Sequence, residues 1–453
     1  MRESGNHPFA TILRATATLS VLLLLAAGCA PGGETASGGD EEPAPAGEGD
    51  GEEGAGPTAA AITVGVEAGS PYEAFYGERL ADFTAETGIE VELQAIPHEN
   101  MHQQFLSDAI AGGGSFDVYT ADQPWIPEFA ARGFLLPLDD RIDEDDLTDF
   151  VPSALDTVSY DGQIYALPYI VHNLALYYRT DLFEEAGLDG PPETWEEYRE
   201  YASILTNPDE GVWGTLISGR QDGEVAIHLQ SFIEQAGGSI IGEDGSPAVD
   251  SEAGLAAMEL MTGIQFEDES SPPGLHDITD MQGLFLEGQL AMARNWPYMY
   301  SLAEDESQSQ VAGQFDVAPL PGNPHQVASV FSWGYAIPAG SPNPDAAWEW
   351  VKWSTSSEML EELGRAQVNP VPRFSSLESI MDDPALDERD RHAIEVFSES
   401  VAASQSMPMT PAYSELQEAL AVATSAVMSQ QLEPPEALAN AQQAMEEAMA
   451  AQG

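Results

Sequence analysis

The segments ITVGV at residues 62–66 and IEVEL at residues 89–93 indicate the fold most clearly. The first has the short apolar run of a buried strand, and the apolar residues of the second alternate as in a strand with one buried face. Between them, residues 73–87 have the periodicity of an amphipathic helix that Gly88 ends. The sequence therefore predicts a strand-helix-strand unit.

The same alternation continues along the chain. Helices are predicted at about residues 100–111, 194–205, 224–236 and 252–266 and over most of the last 40 residues, and strands at 116–120, 173–179, 290–294 and 335–338. The helix over 194–205 opens with a capping box, Thr194 to Glu197. Repeated units of this kind predict an α/β fold with helices on both faces of a sheet.

Length and charge restrict the class of protein. A chain of 453 residues is too long for one ordinary core, so at least two lobes are expected. The net charge of −63 disfavours nucleic acid and anionic lipid headgroups as partners, because both would be repelled. The acidic residues are spread along the chain, which favours a solvated surface suited to strong salt over acidic metal sites.

The N-terminus has the features of a secretion signal at residues 1–29. An apolar run, too short to span a membrane, ends in AAGC at residues 26–29, which resembles a bacterial lipobox although Ala26 stands where Leu is commoner. That resemblance implies a lipid on Cys29, the only cysteine; a cleaved signal with a chance cysteine is the alternative. Residues 30–61 have the composition of a disordered acidic tether.

Seven further motifs follow one another along the chain. They are ETGIEV at 86–91, FDVY at 116–119, DGQIYALP at 161–168, LYYRTDLFEEAGL at 176–188, PETWEE at 192–197, FLEGQLAM at 285–292 and WGYAIP at 333–338. Each is short, but the ordered set resembles family 1 of the bacterial extracellular solute-binding proteins, the maltose-binding type. The resemblance covers the chain from about Ile62 to the C-terminus.

The resemblance implies a two-lobed α/β fold of the type II periplasmic-binding-protein class. Lobe 1 would comprise residues 62–172 and 333–370, and lobe 2 residues 173–332 and 371–453 with the C-terminal helices. Hinge crossings are then expected near Asn173, near Trp333 and at 368–375.

The resemblance also implies a function. The protein would be a monomeric, extracytoplasmic binding lipoprotein of an ABC importer that captures a small-molecule ligand, a sugar, and delivers it to the permease in the membrane. It would not be an enzyme and would need neither a cofactor nor a metal. A surface receptor or adhesin with the same fold stays open, since fold does not fix function.

A sugar presents apolar C–H faces and a rim of hydroxyls, so its site needs aromatic platforms and hydrogen-bonding carboxylates or amides. Asp122 and Trp125 follow the third predicted strand, where open α/β sheets bind ligands. The resemblance places Trp296, Trp333 and Tyr413 at cleft positions. The remaining candidates are Glu67 and Tyr72, after the first strand, and Asn173, at the first crossing. Core packing is an equally open role for each aromatic residue, as a solvated or turn position is for each polar one.

One motif suggests a different function. Residues 98–102 read HENMH, the HExxH pattern of zinc metalloproteases. Pro97 predicts that the motif begins a helix, whereas zincins embed it within one, and the metzincin extension with a third His is absent. The protease is therefore the less favoured alternative. The acidic run at 139–146 lacks the central Gly and terminal Glu of an EF-hand and is predicted to be a solvated turn.

Overall fold

The computed structural model describes residues 61–326, 328–404 and 406–452, which belong to one compact unit, Pro57–Gly453. The predicted signal segment, Cys29 and tether residues 30–60 lie outside the described residues. Ala61, assigned to the tether, is the first residue of a strand.

The strands of the described residues, in chain order, are β1 (Ala61–Glu67), β2 (Glu90–Ile96), β3 (Val118–Asp122), β4 (Ser159–Tyr160), β5 (Gln163–Ile164), β6 (Ala166–His172), β7 (Ala175–Arg179), β8 (Met292–Asn295), β9 (Phe315–Ala318) and β10 (Phe331–Ala336). The α-helices are α1 (Pro71–Gly77), α2 (Leu80–Thr87), α3 (His98–Ile110), α4 (Ile126–Ala131), α5 (Glu144–Leu147), α6 (Pro152–Asp156), α7 (Thr180–Ala186), α8 (Trp195–Leu205), α9 (Gly223–Gln235), α10 (Glu252–Thr262), α11 (Ile278–Leu286), α12 (Met299–Glu304), α13 (Pro344–Ser354), α14 (Ser357–Gln367), α15 (Phe374–Asp382), α16 (Glu388–Ala403), α17 (Tyr413–Met428) and α18 (Pro434–Gln452). Among these helices, none is both long and apolar enough to cross a membrane.

Two sheets organise this part of the chain. A five-stranded sheet has the order β2-β1-β3-β10-β6, in which β1 runs parallel to β2 and β3, and β10 is antiparallel to both of its neighbours. A three-stranded antiparallel sheet has β7 between β8 and β9. The chain passes directly from β6 in the first sheet to β7 in the second, and it returns with β10. In the register of β10 and β3, Trp333 lies opposite Asp122.

Aromatic packing fixes the helices on the five-stranded sheet. Trp350 of α13 is fully buried against Tyr76, Phe83 and Tyr335, with ring centroids 5.2–6.1 Å apart. On the other face, Gly65 in the middle of β1 lets Phe105 of α3 approach, because a Cβ at this position would lie 2.5 Å from the Phe105 ring. This contact explains the glycine in a strand that is otherwise apolar.

The second core packs on one face of the three-stranded sheet, and residues of the other face, such as Tyr177 and Val317, belong to the first core. Helix α9 packs on α10 and α17, and α17 packs on α18. Leu229, Ile233, Leu416 and Leu420 are among the buried residues that these helices contribute. The C-terminal helices therefore complete the core of the second sheet.

Several predicted elements differ from the structure, including β7 and β8, which each begin two residues later than predicted. The helix expected over 73–87 is divided into α1 and α2, because Gly77, a poor helix former, ends the first of them. The third strand starts at Val118, two residues later than predicted. Strand β10 starts at Phe331, four residues before the predicted start, since pairing with His172 and Val171 extends it.

The segment expected to form the third crossing, 368–375, contacts the side of the five-stranded sheet. Asn369 Nδ2 donates to the Tyr72 hydroxyl at 2.8 Å, and Arg373 forms ion pairs with Asp146 and Asp149. Helix α16, which follows, contacts β6 and β9, one strand of each sheet. These contacts favour a later crossing through α16, and the exact lobe boundary stays a prediction.

Candidate functional site between the two sheets

Strand ends of the five-stranded sheet bring three polar side chains together. Glu67 ends β1, Asp122 ends β3, and His98 begins α3, which follows β2. His98 Nδ1 lies 3.4 Å from Glu67 Oε1. Because β1 and β3 are adjacent and parallel, their carboxyl ends lie at the same edge of the sheet, as expected for a ligand site in an α/β fold.

An aromatic wall stands beside these polar groups. Trp125, in the short helical turn after β3, meets Trp333 edge to face, with ring centroids 5.7 Å apart. The His98 ring is 5.6 Å from that of Trp333. Both indoles are only partly buried, so part of each ring is available to a ligand.

The opposite wall comes from the second core. Glu224 lies in the first turn of α9, and its Oε2 accepts a hydrogen bond of 3.0 Å from Trp296 Nε1. The Trp296 ring is stacked on His172 at 4.7 Å and meets Phe331 edge to face. Since His172 ends β6, Trp296 contacts the five-stranded sheet and holds Glu224 in place at the same time.

Two tyrosines lie near the same carboxylates. Tyr72 is half-buried, packs edge to face on Tyr169, and accepts a hydrogen bond from Asn369. The Tyr298 hydroxyl donates to Gln282 Oε1 at 2.8 Å. Burial raises the pKa of both phenols, and Glu67 raises them further. We call these residues the cleft group: Glu67, Tyr72, His98, Asp122, Trp125, Glu224, Trp296, Tyr298 and Trp333.

The electrostatics of the cleft group is dominated by carboxyls. Burial, together with the nearby charges of Glu224 and Glu67, raises the pKa of Asp122 to about 7, whereas His98 lowers it. Burial likewise raises the pKa of Glu224 to about 7, although the hydrogen bond from Trp296 lowers it. The hydrogen bond to Glu67 raises the pKa of His98 to about 9. Among the described residues, no Arg or Lys affects the pKa of Asp122 or Glu224.

Replacing Asp122 by Asn is expected to remove a pH-dependent loss of stability. The folded protein holds the Asp122 proton up to a pKa of about 7, whereas an unfolded Asp releases it near 4. The free energy of unfolding therefore falls as pH rises from 4 to 7, by about 4 kcal/mol for this group, and levels off above that. Urea unfolding of both proteins across this range should show Asp122→Asn gaining stability relative to the parent. Parallel curves would contradict the burial of this carboxyl.

The structure thus brings six of the predicted ligand-binding residues into one group. They are Glu67, Tyr72, Asp122, Trp125, Trp296 and Trp333. Tyr413 is buried and its hydroxyl donates to Gln230 Oε1 at 2.8 Å, but Asp122 and Glu224 raise its pKa, so it lies near the same carboxyls. Asn173 is buried, and its Nδ2 donates to Ser404 Oγ at 3.0 Å. Contact with a ligand stays a prediction for all eight.

Sequence reasoning missed three members of the cleft group. Tyr298 lies two residues after Trp296, in the same predicted segment. The sequence does not show which of the two rings lies near the carboxylates, because that depends on how the chain turns after β8. Glu224 follows the helix cap Asp222, so the sequence predicts its place in the first turn of α9. The sequence does not predict its hydrogen-bond partner, Trp296. His98 was considered only as part of the HExxH motif.

The HExxH motif occupies the first five residues of α3, as Pro97 predicts. Its two imidazoles have different carboxylate partners: His98 contacts Glu67, and His102 Nε2 lies 2.8 Å from Glu128 Oε2. In the described part of the chain, no three His, Cys, Asp or Glu side chains are grouped so that they could hold a metal ion.

Comparison with known proteins decides the family. Residues 64–361 match the family described as bacterial extracellular solute-binding protein. The chain belongs to this family. A mannitol-binding protein of Pseudomonas aeruginosa is 29% identical over 311 residues, which are 66% of this chain and 71% of the relative. A maltotriose-binding protein of Pyrococcus abyssi is 28% identical over 317 residues, 68% of this chain and 64% of the relative.

Solved structures of solute-binding proteins have the same fold. Maltose-bound MalE3 of T. maritima superposes with a TM-score of 0.79 at 26% identity, covering 86% of this chain and all of that one. A ribitol complex from Agrobacterium radiobacter gives 0.77 at 26% identity, with 86% and 98% covered. The expected fold, a two-lobed binding protein of type II, is confirmed. As a member of an extracellular solute-binding family, the protein acts outside the cytoplasm.

Proposed function

We propose that this solute-binding protein captures a neutral sugar or polyol between its two lobes and delivers it to the permease of an ABC importer. The observation that carries the proposal is the cleft group, in which Asp122 and Trp125 from one sheet lie near Glu224 and Tyr298 from the other side. Aromatic faces suit the C–H surface of a sugar, and the carboxylates accept hydrogen bonds from its hydroxyls.

The charge of the cleft group supports a neutral ligand. Three carboxyls and one imidazole line it, and Asp122 and Glu224 have no Arg or Lys beside them among the described residues. Uronates and sugar phosphates would meet like charge, which destabilises binding. The relatives and solved complexes with mannitol, maltotriose, maltose and ribitol agree with a neutral polyhydroxylated ligand.

The mechanism requires binding and closure, with no chemical step. A ligand held by Asp122 and Trp125 completes its hydrogen bonds only when Glu224 is near, so it stabilises the conformation in which the lobes are closed. The permease would then recognise the closed form. We therefore propose that the protein is not an enzyme.

We propose further that the protein is anchored by lipid on Cys29, upstream of the described residues. Two acyl chains hold a protein stably at a membrane. The net charge of −63 suits a saline medium, because high salt shortens the range of self-repulsion to about 3 Å at 1 M. Mass spectrometry of the protein extracted from its native membrane would detect the diacyl group, and an unmodified cysteine would contradict the anchor.

A thermal-shift screen in high salt tests the proposed function. The purified protein is heated with neutral sugars, polyols, amino acids, uronates, sugar phosphates and zinc. A specific ligand raises the melting temperature by mass action, by on the order of a few degrees at a hundredfold excess over Kd. We expect hits among neutral sugars or polyols. Stabilisation by zinc with proteolysis of casein, or by amino acids alone, would contradict the proposal.

A further inference from the structure

A groove lies along the solvent-facing side of the C-terminal helix pair, α17 and α18. The two helices pack on each other, and the short connection 429–433 makes them antiparallel. The groove has a volume of about 640 Å³, its lining is mostly alanine, and Val422 in its wall is 47% exposed. An exposed apolar groove of this size indicates a surface that another molecule covers.

The residues that line the groove have the spacing of a coiled-coil seam on both helices. They include Ala419, Val422 and Ala426 on α17, and Ala437, Ala441, Ala444 and Ala448 on α18. Steps of three and four residues alternate in each line, as at the a and d positions of a coiled coil. Because most of these side chains are only methyl groups, they leave room for the larger side chains of a third helix.

Acidic residues border this seam on both sides. Glu415 lies in the α17 wall, and Glu436 and Glu447 share the face of α18 that carries Asn440, at spacings of four and seven residues. The three carboxylates are exposed. After His392 the sequence contains no Lys, Arg or His, so the helix pair supplies no positive charge of its own.

We infer that this groove binds an amphipathic helix of a partner protein, with an apolar stripe flanked on both sides by Lys or Arg. The apolar stripe fills the seam through residues spaced three and four apart, and the flanking cations meet Glu415 and Glu447. A second copy of this chain fits poorly, because its net charge is also −63. The surface is formed by α17 and α18 alone, so the inference does not depend on the sugar.

Titration with two synthetic helical peptides tests the inference. Both carry Leu at the a and d positions of three heptads, and the positions beside this stripe are Lys in one peptide and Glu in the other. Fluorescence anisotropy is measured in 1 M salt, where attraction to the rest of the acidic surface is screened beyond about 3 Å. We expect one Lys peptide to bind per protein, and the Glu peptide to bind about tenfold more weakly or less. Equal binding of both peptides, or no saturable binding of the Lys peptide, would overturn the inference.

A variant that fills the groove locates the binding. Ala444 is exposed in the groove, so Ala444→Trp occupies the seam without entering the core and should weaken binding of the Lys peptide by about tenfold or more. Ala439, exposed on the same helix but outside the groove lining, provides the matched control, and Ala439→Trp should bind as the parent does. If the two variants bind equally well, the groove is not the site.

Reversal of charge separates the border of the groove from general acidity. Glu415→Lys combined with Glu447→Lys should weaken the Lys peptide and strengthen the Glu peptide. Glu395 and Glu399, two exposed carboxylates on α16, provide the control, and their replacement by Lys should change neither affinity. Equal effects of the two pairs would attribute the binding to overall charge and contradict the inference.

Two measurements need no altered binding residue. Hydrogen exchange of the parent protein should slow at 415–426 and 437–448 when the Lys peptide is added, and protection confined to other segments would overturn the inference. Sedimentation equilibrium of the protein alone in the same salt should show a monomer. A dimer that Ala444→Trp abolishes would assign the groove to a second copy and exclude the proposed partner.

Discussion

Alanine at Trp125 is expected to weaken binding of the sugar identified by the screen by about 2–3 kcal/mol, a loss of roughly 30- to 150-fold in affinity. The indole is partly exposed and meets Trp333, which lies opposite Asp122, edge to face. Its removal therefore takes away a platform for the C–H face of the ligand. Isothermal titration calorimetry of parent and variant measures the change.

Trp353 provides the matched control for that variant. It is also a half-buried indole, and its ring partners, Trp350 and Phe83, do not belong to the cleft group. Trp353→Ala should lower stability and leave affinity unchanged. Equal affinity losses in the two variants would show that Trp125 acts through the fold and would remove it from the site.

Trp296→Ala is expected to lower the free energy of unfolding by about 3–5 kcal/mol. The side chain is 6% exposed, and it packs between His172 and Phe331, so alanine leaves a cavity at the junction of the two sheets. Urea unfolding measures the loss. A decrease below about 1 kcal/mol would contradict this packing.

The variant Trp296→Phe separates packing from the hydrogen bond to Glu224. Phenylalanine keeps a ring against His172 but has no N–H donor, so the pKa of Glu224 should rise above about 7. Affinity for the sugar should then fall more than stability does, because a displaced carboxylate no longer meets the ligand. An unchanged affinity would limit Trp296 to a structural role.

Local sequence signals predicted the elements that depend on neighbouring residues. The capping box formed by Thr194 and Glu197 is present, and Gly88 ends its helix in the left-handed conformation. Strand β10 was placed too late because its first residues, Phe331 and Ser332, are defined by pairing with β6, which is distant in the sequence.

The sequence predicted the types of residue that form the site, aromatic rings and carboxylates, but identified only some of the individual residues. Trp125 and Asp122 could be predicted from the sequence, because both lie at or directly after the end of one strand. Glu224 depends on a contact with Trp296, 72 positions away, and no local pattern reports such a contact. For Tyr413, the sequence does not show that its hydroxyl bonds Gln230, which is 183 positions away.

A crystal structure of the protein with the sugar or polyol found by the screen tests the central claim most directly. We predict one ligand between the sheets, stacked on Trp125 and hydrogen-bonded to both Asp122 and Glu224. A ligand bound elsewhere on the protein, with Asp122 and Glu224 both free of it, would contradict the account.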